Sequence, residues 1–193
     1  LPPSRRQLLA LTVFVEGGMI LLALALGAMF GPSTKNVLTL SASHAAIGAL
    51  AGLGLLVLAI GFVNSPIGRN TQLRRDIDQL VELFDNTRPV DLILMSALAG
   101  IGEEALFRGL LLYHGAEWMN MPLALAATSL LFGLMHAVSP AYIVFTTLLG
   151  LAMGGLYLWY GNLLVPIVAH GVYDLAALVH IKYRHRPAQS EQI

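Results

Sequence analysis

The sequence predicts an all-α fold: a polytopic membrane helical bundle with about six transmembrane helices and one amphipathic interfacial helix. The 193 residues are 56% hydrophobic and only 11% charged, with a mean hydropathy of +0.72. A soluble globular domain carries about 25% charged residues, so composition favours the membrane class. Cysteine is absent, which excludes disulfides, thiol nucleophiles and cysteine-based zinc sites. We expect residues 1–193 to form a single domain.

Six apolar stretches are long enough for helices that cross a bilayer, which takes about 20 residues each. The first of them is longer than the core of a signal peptide, roughly 7–15 residues, and is therefore expected to be retained. Pairs of glycines four residues apart, as at Gly48 and Gly52, are typical of closely packed membrane helices. The predicted spans are 8–30, 44–63, 90–112, 121–138, 141–160 and 163–181.

The positions of lysine and arginine indicate the orientation, because these residues are concentrated in cytoplasmic loops. With six spans, nine basic residues fall on one side, only Lys35 falls on the other, and Arg108 lies within a span. Both termini are therefore predicted to be cytoplasmic. The nine basic residues on the shared side are Arg5, Arg6, Arg69, Arg74, Arg75, Arg88, Lys182, Arg184 and Arg186.

The connection 64–89 is predicted to contain an amphipathic helix that begins near Asn70 or Thr71, with Pro89 opening the next helix. It is either a solvated connector packed on the domain or a helix lying at the cytoplasmic interface, where substrate approaches. Its apolar face has helical spacing and comprises Leu73, Ile77, Leu80, Val81 and Phe84. Its polar face comprises Arg74, Arg75, Asp76, Asp78 and Glu82.

Ionisable side chains occur inside three of the apolar stretches. Glu103 and Glu104 lie in the third span, His136 in the fourth, and His170 with Asp174 in the sixth. An ionisable group at bilayer depth is costly and by default marks a functional site. We therefore expect these side chains to form one reaction centre.

The two adjacent glutamates are predicted to have different roles. Glu104 and Arg108 are four residues apart, share a helix face and can form an ion pair. Glu103 points about 100° away from Glu104, so the two carboxylates are not expected to face the same point. Glu103 is then the free carboxylate, on the side of Phe107.

The chemistry that these residues suggest is activation of water. A glutamate withdrawn from solvent is an effective general base, a histidine can share the water, and further donors can stabilise an oxyanion. The same set could bind a divalent metal such as zinc through His136, His170 and a carboxylate, for which Glu103 is the candidate. The expected cofactor is thus either none or a divalent metal. The motifs His-Glu-x-x-His and Gly-x-Ser-x-Gly are both absent.

Three ordered motifs between about residues 100 and 174 resemble the signature of a known family. They are Glu103-Glu104-x-x-x-Arg108, Phe132-x-x-x-His136 and His170-x-x-x-Asp174. The pattern is similar to that of the CPBP family, the CAAX-protease and bacteriocin-processing group formerly called the abortive-infection family. The resemblance implies an integral membrane bundle, in the plasma membrane of a prokaryote, that hydrolyses peptide bonds near the cytoplasmic leaflet.

The resemblance also implies a role for each motif residue. Glu103 and His136 would activate water, Glu104 and Arg108 would shape the site, and His170 with residue 174 would stabilise the oxyanion. The family usually has asparagine at the last position, where this chain has Asp174. An ionised aspartate would repel an oxyanion, so Asp174 must be protonated, act differently or ligate a metal.

Our hypothesis is an intramembrane endopeptidase that acts on membrane-delivered peptides or protein tails, with the lipid bilayer and no nucleic acid as its other partner. The alternatives are a transporter or ion pathway, and a catalytically idle membrane scaffold or immunity factor. The depth of the motifs presents a difficulty. A helix starting at Val90 carries Glu103 about 20 Å inward, whereas His136 is near the cytoplasmic end of its span. Helix tilt, a later start, or a break at Gly100 or Gly102 is expected to bring them together.

Overall fold

A computed structural model describes residues 3–31 and 37–184, without the side chains of Val81, Glu82 and Arg184. Within these ranges the chain forms helices and no strand, so the predicted all-α membrane bundle is confirmed. Lys35 and Arg186, which entered the prediction of orientation, lie outside the described residues. So do the side chains of Val81 and Glu82 on the predicted amphipathic helix.

The helices follow the predicted spans closely, with two differences. Four of the described helices are long and apolar enough to cross a membrane, at Arg5–Phe30, Ala42–Asn64, Pro140–Tyr160 and Leu164–Tyr183. The total number of spans stays a prediction. The helices are α1 (Arg5–Phe30), α2 (Ala42–Asn64), α3 (Gln72–Phe84, after a short 3-10 turn Gly68–Asn70), α4 (Pro89–Glu104), a π-helical segment (Ala105–Leu112), α5 (Tyr113–Trp118), α6 (Met121–Met135), α7 (Pro140–Tyr160) and α8 (Leu164–Arg184).

The first difference is that the helix of the third predicted span continues beyond residue 112. The α4 helix, the π-helical segment and α5 follow one another without a break, since the residues that join them keep helical backbone angles. The second difference is that α6 has only 15 residues and ends at Met135, before His136. Both differences concern the helices that carry the candidate site.

Local sequence signals fix several helix ends. The Asn120 side chain accepts a hydrogen bond from the backbone of Leu123 at the start of α6, and the Ser139 hydroxyl accepts one from Tyr142 at the start of α7. Side chains of these types satisfy the free N–H groups of a first helical turn. Gly161 ends α7 with φ 60°, a left-handed conformation that glycine adopts at little cost.

Glycines let the backbones of neighbouring helices touch. A methyl group added at Gly48 of α2 would lie 2.5 Å from the Val165 carbonyl oxygen of α8, and one at Gly52 would overlap the Ala169 carbonyl. Helix α4 also approaches α8 closely, because a methyl group at Gly100 would lie 2.8 Å from the Ile167 carbonyl oxygen. These contacts draw α2 and α4 onto α8, the helix that carries His170.

Replacing Gly52 with alanine is expected to lower the stability of the bundle by about 1–3 kcal/mol, because the obstructing atoms belong to a backbone that cannot move alone. The melting temperature of the detergent-solubilised protein measures the effect. Gly54→Ala is the matched control, since nothing lies within 4 Å of its added carbon. Equal melting temperatures for the two variants would contradict the α2–α8 contact.

Polar contacts join the start of α1, the start of α4 and the end of α8 at one end of the bundle. Arg5 donates two hydrogen bonds of 2.6 Å to the carboxylate of Asp91. The Lys182 ammonium is buried and donates to the carbonyl oxygens of Phe84 and Asp85 at 3.1 and 3.3 Å, and also to Thr87. Nine basic residues were predicted to lie on the same side of the membrane. The structure places three of them at this end of the bundle, namely Arg5, Arg88 and Lys182.

The amphipathic α3 packs against α7 and α8. Leu73 is buried, and Ile77 lines an internal cavity. Asp76 belongs to the predicted polar face, yet it is buried and accepts a hydrogen bond from the Ser139 hydroxyl. The turn between α6 and α7 meets α3 at this point, so the partner of Asp76 comes from a segment that helical spacing cannot reveal.

Candidate active site

Four of the predicted site residues converge on one internal cavity of about 370 Å³. Glu103 reaches it from α4, His136 follows the last residue of α6, and His170 and Asp174 come from α8. The cavity extends from these side chains to the amphipathic α3, and its other walls come from α1, α2 and α7. A cavity with a few convergent polar groups and mostly apolar walls has the form of a substrate site.

Glu103 lies between two imidazoles. Its Oε1 is 3.8 Å from Nε2 of His136, and its Oε2 is 3.8 Å from Nε2 of His170. The residue is only 6% exposed, and Oε2 accepts no hydrogen bond from the residues that the structure describes. Both separations exceed the length of a direct hydrogen bond. Gaps of this size suit a water molecule that bridges the two groups.

His136 is held in one orientation by Phe132. Its Nδ1 is 2.9 Å from the Phe132 carbonyl oxygen. A carbonyl oxygen can only accept, so Nδ1 carries a proton, and in the neutral imidazole Nε2 presents a lone pair toward Glu103. The two rings also lie against each other, with centroids 4.6 Å apart. His136 itself is not helical but caps the end of α6, with φ −99° and ψ 24°.

Glu104 joins Arg108 and His170 in a buried network. Its Oε1 accepts a hydrogen bond of 2.6 Å from Nη1 of Arg108 and one of 2.8 Å from Nδ1 of His170. Nη2 of Arg108 donates to the Gly150 carbonyl oxygen of α7 at 2.7 Å. Glu104 and Arg108 are 0% and 2% exposed. The network therefore ties α4, the π-helical segment, α7 and α8 together directly behind the site.

The expectation that Glu103 and Glu104 cannot face the same point was wrong. Both carboxylates approach the imidazole of His170, one at each ring nitrogen. Two adjacent helical residues are about 100° apart at the backbone, but glutamate side chains are long enough to turn toward a ring that lies between them. His170 projects from α8 into that position, so the neighbouring helix supplies the common point.

The sequence predicted different membrane depths for Glu103 and His136. The structure brings them to one depth without the breaks suggested at Gly100 or Gly102. Neither glycine interrupts α4; both let another helix approach, α8 at Gly100 and α1 at Gly102. Instead α6 is short, so that its end and His136 lie at the depth of Glu103. The π-helical segment starts two residues after Glu103, and such segments are frequent at functional sites.

One acidic residue of the cavity was missed by the sequence analysis. Glu16 of α1 lines the same cavity as Glu103, and its Oε2 is buried without a hydrogen bond from any described residue. The signal was available, because Glu16 is the single charged residue in the first predicted span, 8–30. Glu16 was not chosen as a candidate site residue because no second motif residue accompanies it in that span.

The donors present do not fit the metal alternative. Among residues 3–31 and 37–184, no group of three or more histidine, aspartate or glutamate side chains is arranged to hold a metal ion. His136, His170 and Glu103 face one another at 3.8 Å, and within the described part of the chain they are not arranged around one ion position.

Comparison with known proteins gives two matches and one negative result. Residues 85–176 match the family model described as Rce1-like, type II CAAX prenyl endopeptidase. The chain is 29% identical over 107 residues to the uncharacterized protein YpbD of Bacillus subtilis (strain 168). These aligned residues are 54% of this chain and 52% of that protein. The chain thus spans about half the length of the curated relative it matches. No solved structure matches the chain.

Proposed function

We propose that this integral membrane protein is an intramembrane endopeptidase that uses water activated by Glu103 and His136, since residues 85–176 match the family model of Rce1-like type II CAAX prenyl endopeptidases. The observation that carries the proposal is the pair of acceptors, Glu103 Oε1 and His136 Nε2, 3.8 Å apart across the cavity. A water between them donates one hydrogen to each, and its lone pairs then point away from both.

The proposed reaction proceeds in two steps. The water oxygen attacks the carbonyl carbon of the scissile bond, and Glu103 takes the proton that the water loses. The carbon–nitrogen bond of the tetrahedral intermediate then breaks, and Glu103 returns this proton to the departing amine nitrogen. The products are a new carboxylic acid, which releases its proton to solvent, and a new amine. One buried carboxylate thus acts as base and then as acid.

Stabilisation of the oxyanion is assigned to His170. Glu104 accepts the hydrogen bond of His170 Nδ1, which leaves Nε2 facing the cavity. When Nε2 is protonated it can donate to the oxyanion, and Glu104 and Arg108 hold the ring in that orientation. Asp174 Oδ2 lies 3.4 Å from the same Nε2. In this proposal Asp174 supports the protonated imidazole and does not itself contact the oxyanion.

The proposed substrate is a peptide or a protein tail delivered within the membrane. The cavity walls are largely apolar, with Leu56 and Ile60 of α2 and Leu80 and Phe84 of α3 opposite the catalytic groups. Such walls suit an apolar side chain or a lipid group attached to the peptide. The family description suggests a prenylated CAAX tail, and we include this class among the substrates to be tested.

We further propose that the end of the bundle formed by Arg5, Arg88 and Lys182 faces the cytoplasm, which places both termini there. Trp118 and Trp159 lie at the helix ends that point away from these basic residues. Their side chains are 88% and 83% exposed. Exposed tryptophans at this level suit the other membrane interface. Accessibility of single cysteines introduced at Arg75 and Trp159 to an impermeant thiol reagent in sealed vesicles measures the orientation.

Purified protein is expected to cleave an internal bond in members of a peptide library that includes prenylated and unprenylated CAAX tails. Cleavage is followed by mass spectrometry, with the metal content of the same sample measured before and after a chelator. Because the proposed mechanism takes its base from Glu103 and needs no metal, activity is expected to remain within about twofold in the chelated protein. Loss of activity that added zinc restores would instead support the metal mechanism.

A further inference from the structure

Glu16 brings an additional carboxylate to the active-site cavity from outside the matched segment 85–176. Its backbone touches α4 one residue before Glu103, since a methyl group at Gly102 would lie 2.7 Å from the Glu16 carbonyl oxygen. Its Oε2 is buried and accepts no hydrogen bond within the described part of the chain. A buried carboxylate oxygen without a donor is unfavourable unless a ligand supplies one.

The Glu16 carboxylate shares its cavity with the groups at the centre of the site, because Glu103, His170 and Asp174 line the same cavity. Glu103 also has a buried oxygen, Oε2, that accepts no hydrogen bond from the described residues. Carboxylates from three helices therefore line the cavity in which the scissile bond is proposed to lie.

The arginines near these carboxylates are already paired. Arg74 of α3 lines the cavity but is paired with Asp78 at 3.1 Å. Arg108 is paired with Glu104 behind the site. Three imidazoles also line the cavity, those of His136, His170 and His180. With these imidazoles neutral, ionised carboxylates are in excess. The same excess disfavours a ligand that places a carboxylate beside them.

We propose that Glu16, together with Asp174, selects peptides that carry a positively charged group within one or two residues of the scissile bond. A lysine or arginine side chain supplies the missing donor to Glu16 Oε2 and offsets the charge of the cavity. One residue of extended peptide spans about 3.3–3.6 Å, so a residue next to the scissile bond reaches the carboxylates that surround it. This inference rests on the proposed peptidase function.

The test uses two quenched fluorescent peptides that differ only in a lysine or an uncharged norleucine beside the scissile bond. Wild-type protein is expected to cleave the lysine peptide with a kcat/KM about tenfold higher or more. Glu16→Gln is expected to reduce this ratio to about one. Glu16→Asp keeps the charge and is expected to keep the preference. Glu117→Gln, which lies outside the cavity, is the matched control and is expected to retain the wild-type ratio.

The inference is overturned if wild-type protein does not prefer lysine, if Glu16→Gln keeps the preference, or if Glu16→Asp loses it as fully as Glu16→Gln. Binding of the same peptides with an N-methylated scissile bond, followed by fluorescence anisotropy, separates this result from the peptidase proposal. If wild-type protein cleaves neither peptide, the peptidase proposal fails. Tighter binding of the lysine peptide that depends on Glu16 then still supports the inference, and equal binding rejects it.

Discussion

Replacing Glu103 with glutamine is expected to lower the rate of peptide cleavage about 10²–10⁴-fold, the usual contribution of a positioned general base. Glutamine has nearly the same shape, but its amide cannot take a proton from the water proposed to lie between residue 103 and His136. Because Glu103 Oε2 accepts no hydrogen bond from the described residues, and a neutral amide costs less to bury than a carboxylate, stability is expected to be unchanged or slightly higher.

Single-turnover cleavage of a library substrate, together with the melting temperature, measures both effects in one preparation. Glu117→Gln is the matched control, because it makes the same chemical change at an exposed position on α5. Activity of Glu103→Gln within a few-fold of wild type would remove Glu103 as the base. If cellular function also persisted in that variant, the scaffold alternative would gain support, and ion flux dependent on Glu103 would favour a transporter.

Replacing Arg108 with methionine is expected to destabilise the protein by about 3–5 kcal/mol, the range observed when one partner of a buried ion pair is removed. Glu104 is fully buried, so the variant leaves its carboxylate without the guanidinium and with His170 as its remaining donor. The lost contact to the Gly150 carbonyl oxygen also frees α7 from the network. The free energy of unfolding in mixed detergent micelles measures the effect.

The double variant Glu104→Gln, Arg108→Met distinguishes a charge effect from loss of packing. Replacing both partners of a buried ion pair often restores stability, so the double variant is expected to be more stable than Arg108→Met alone. Arg75→Met at an exposed position of α3 is the control and is expected to change stability little. A double variant that is less stable than both Glu104→Gln and Arg108→Met would show that the network stabilises the protein through side-chain packing and not through its charges.

Sequence periodicity and length predicted most of the fold because they act locally. Stretches of about 20 apolar residues must become helices in a bilayer, where each backbone polar group has to be satisfied within the segment. Pro89 was predicted to open the helix after the long connection, and it is the first residue of α4. The ends of the third and fourth helices were harder to predict. The sequence shows no strong change of hydropathy or capping signal where these helices end, near Trp118 and Met135.

The candidate site could be predicted as a set of residues but not as an arrangement. Glu103, His136 and His170 stand out because ionisable groups are rare in apolar helices. The convergence of Glu103 and Glu104 on His170 depends on how α8 packs against α4, which is set by backbone contacts at Gly100. The burial of Asp76 likewise depends on Ser139, which lies 63 residues away in sequence.

By itself, the sequence determined that this protein is a helical membrane bundle and which side chains are costly enough to mark its site, because hydropathy and charge are properties of single segments. Only the tertiary structure decided which of these groups meet. It placed His136 at the depth of Glu103 by ending α6 early, and it brought Glu16 into the same cavity from a helix that carries no motif. The physical reason is that close helix packing fixes distances between residues far apart in sequence, and proton transfer and charge recognition depend on those distances.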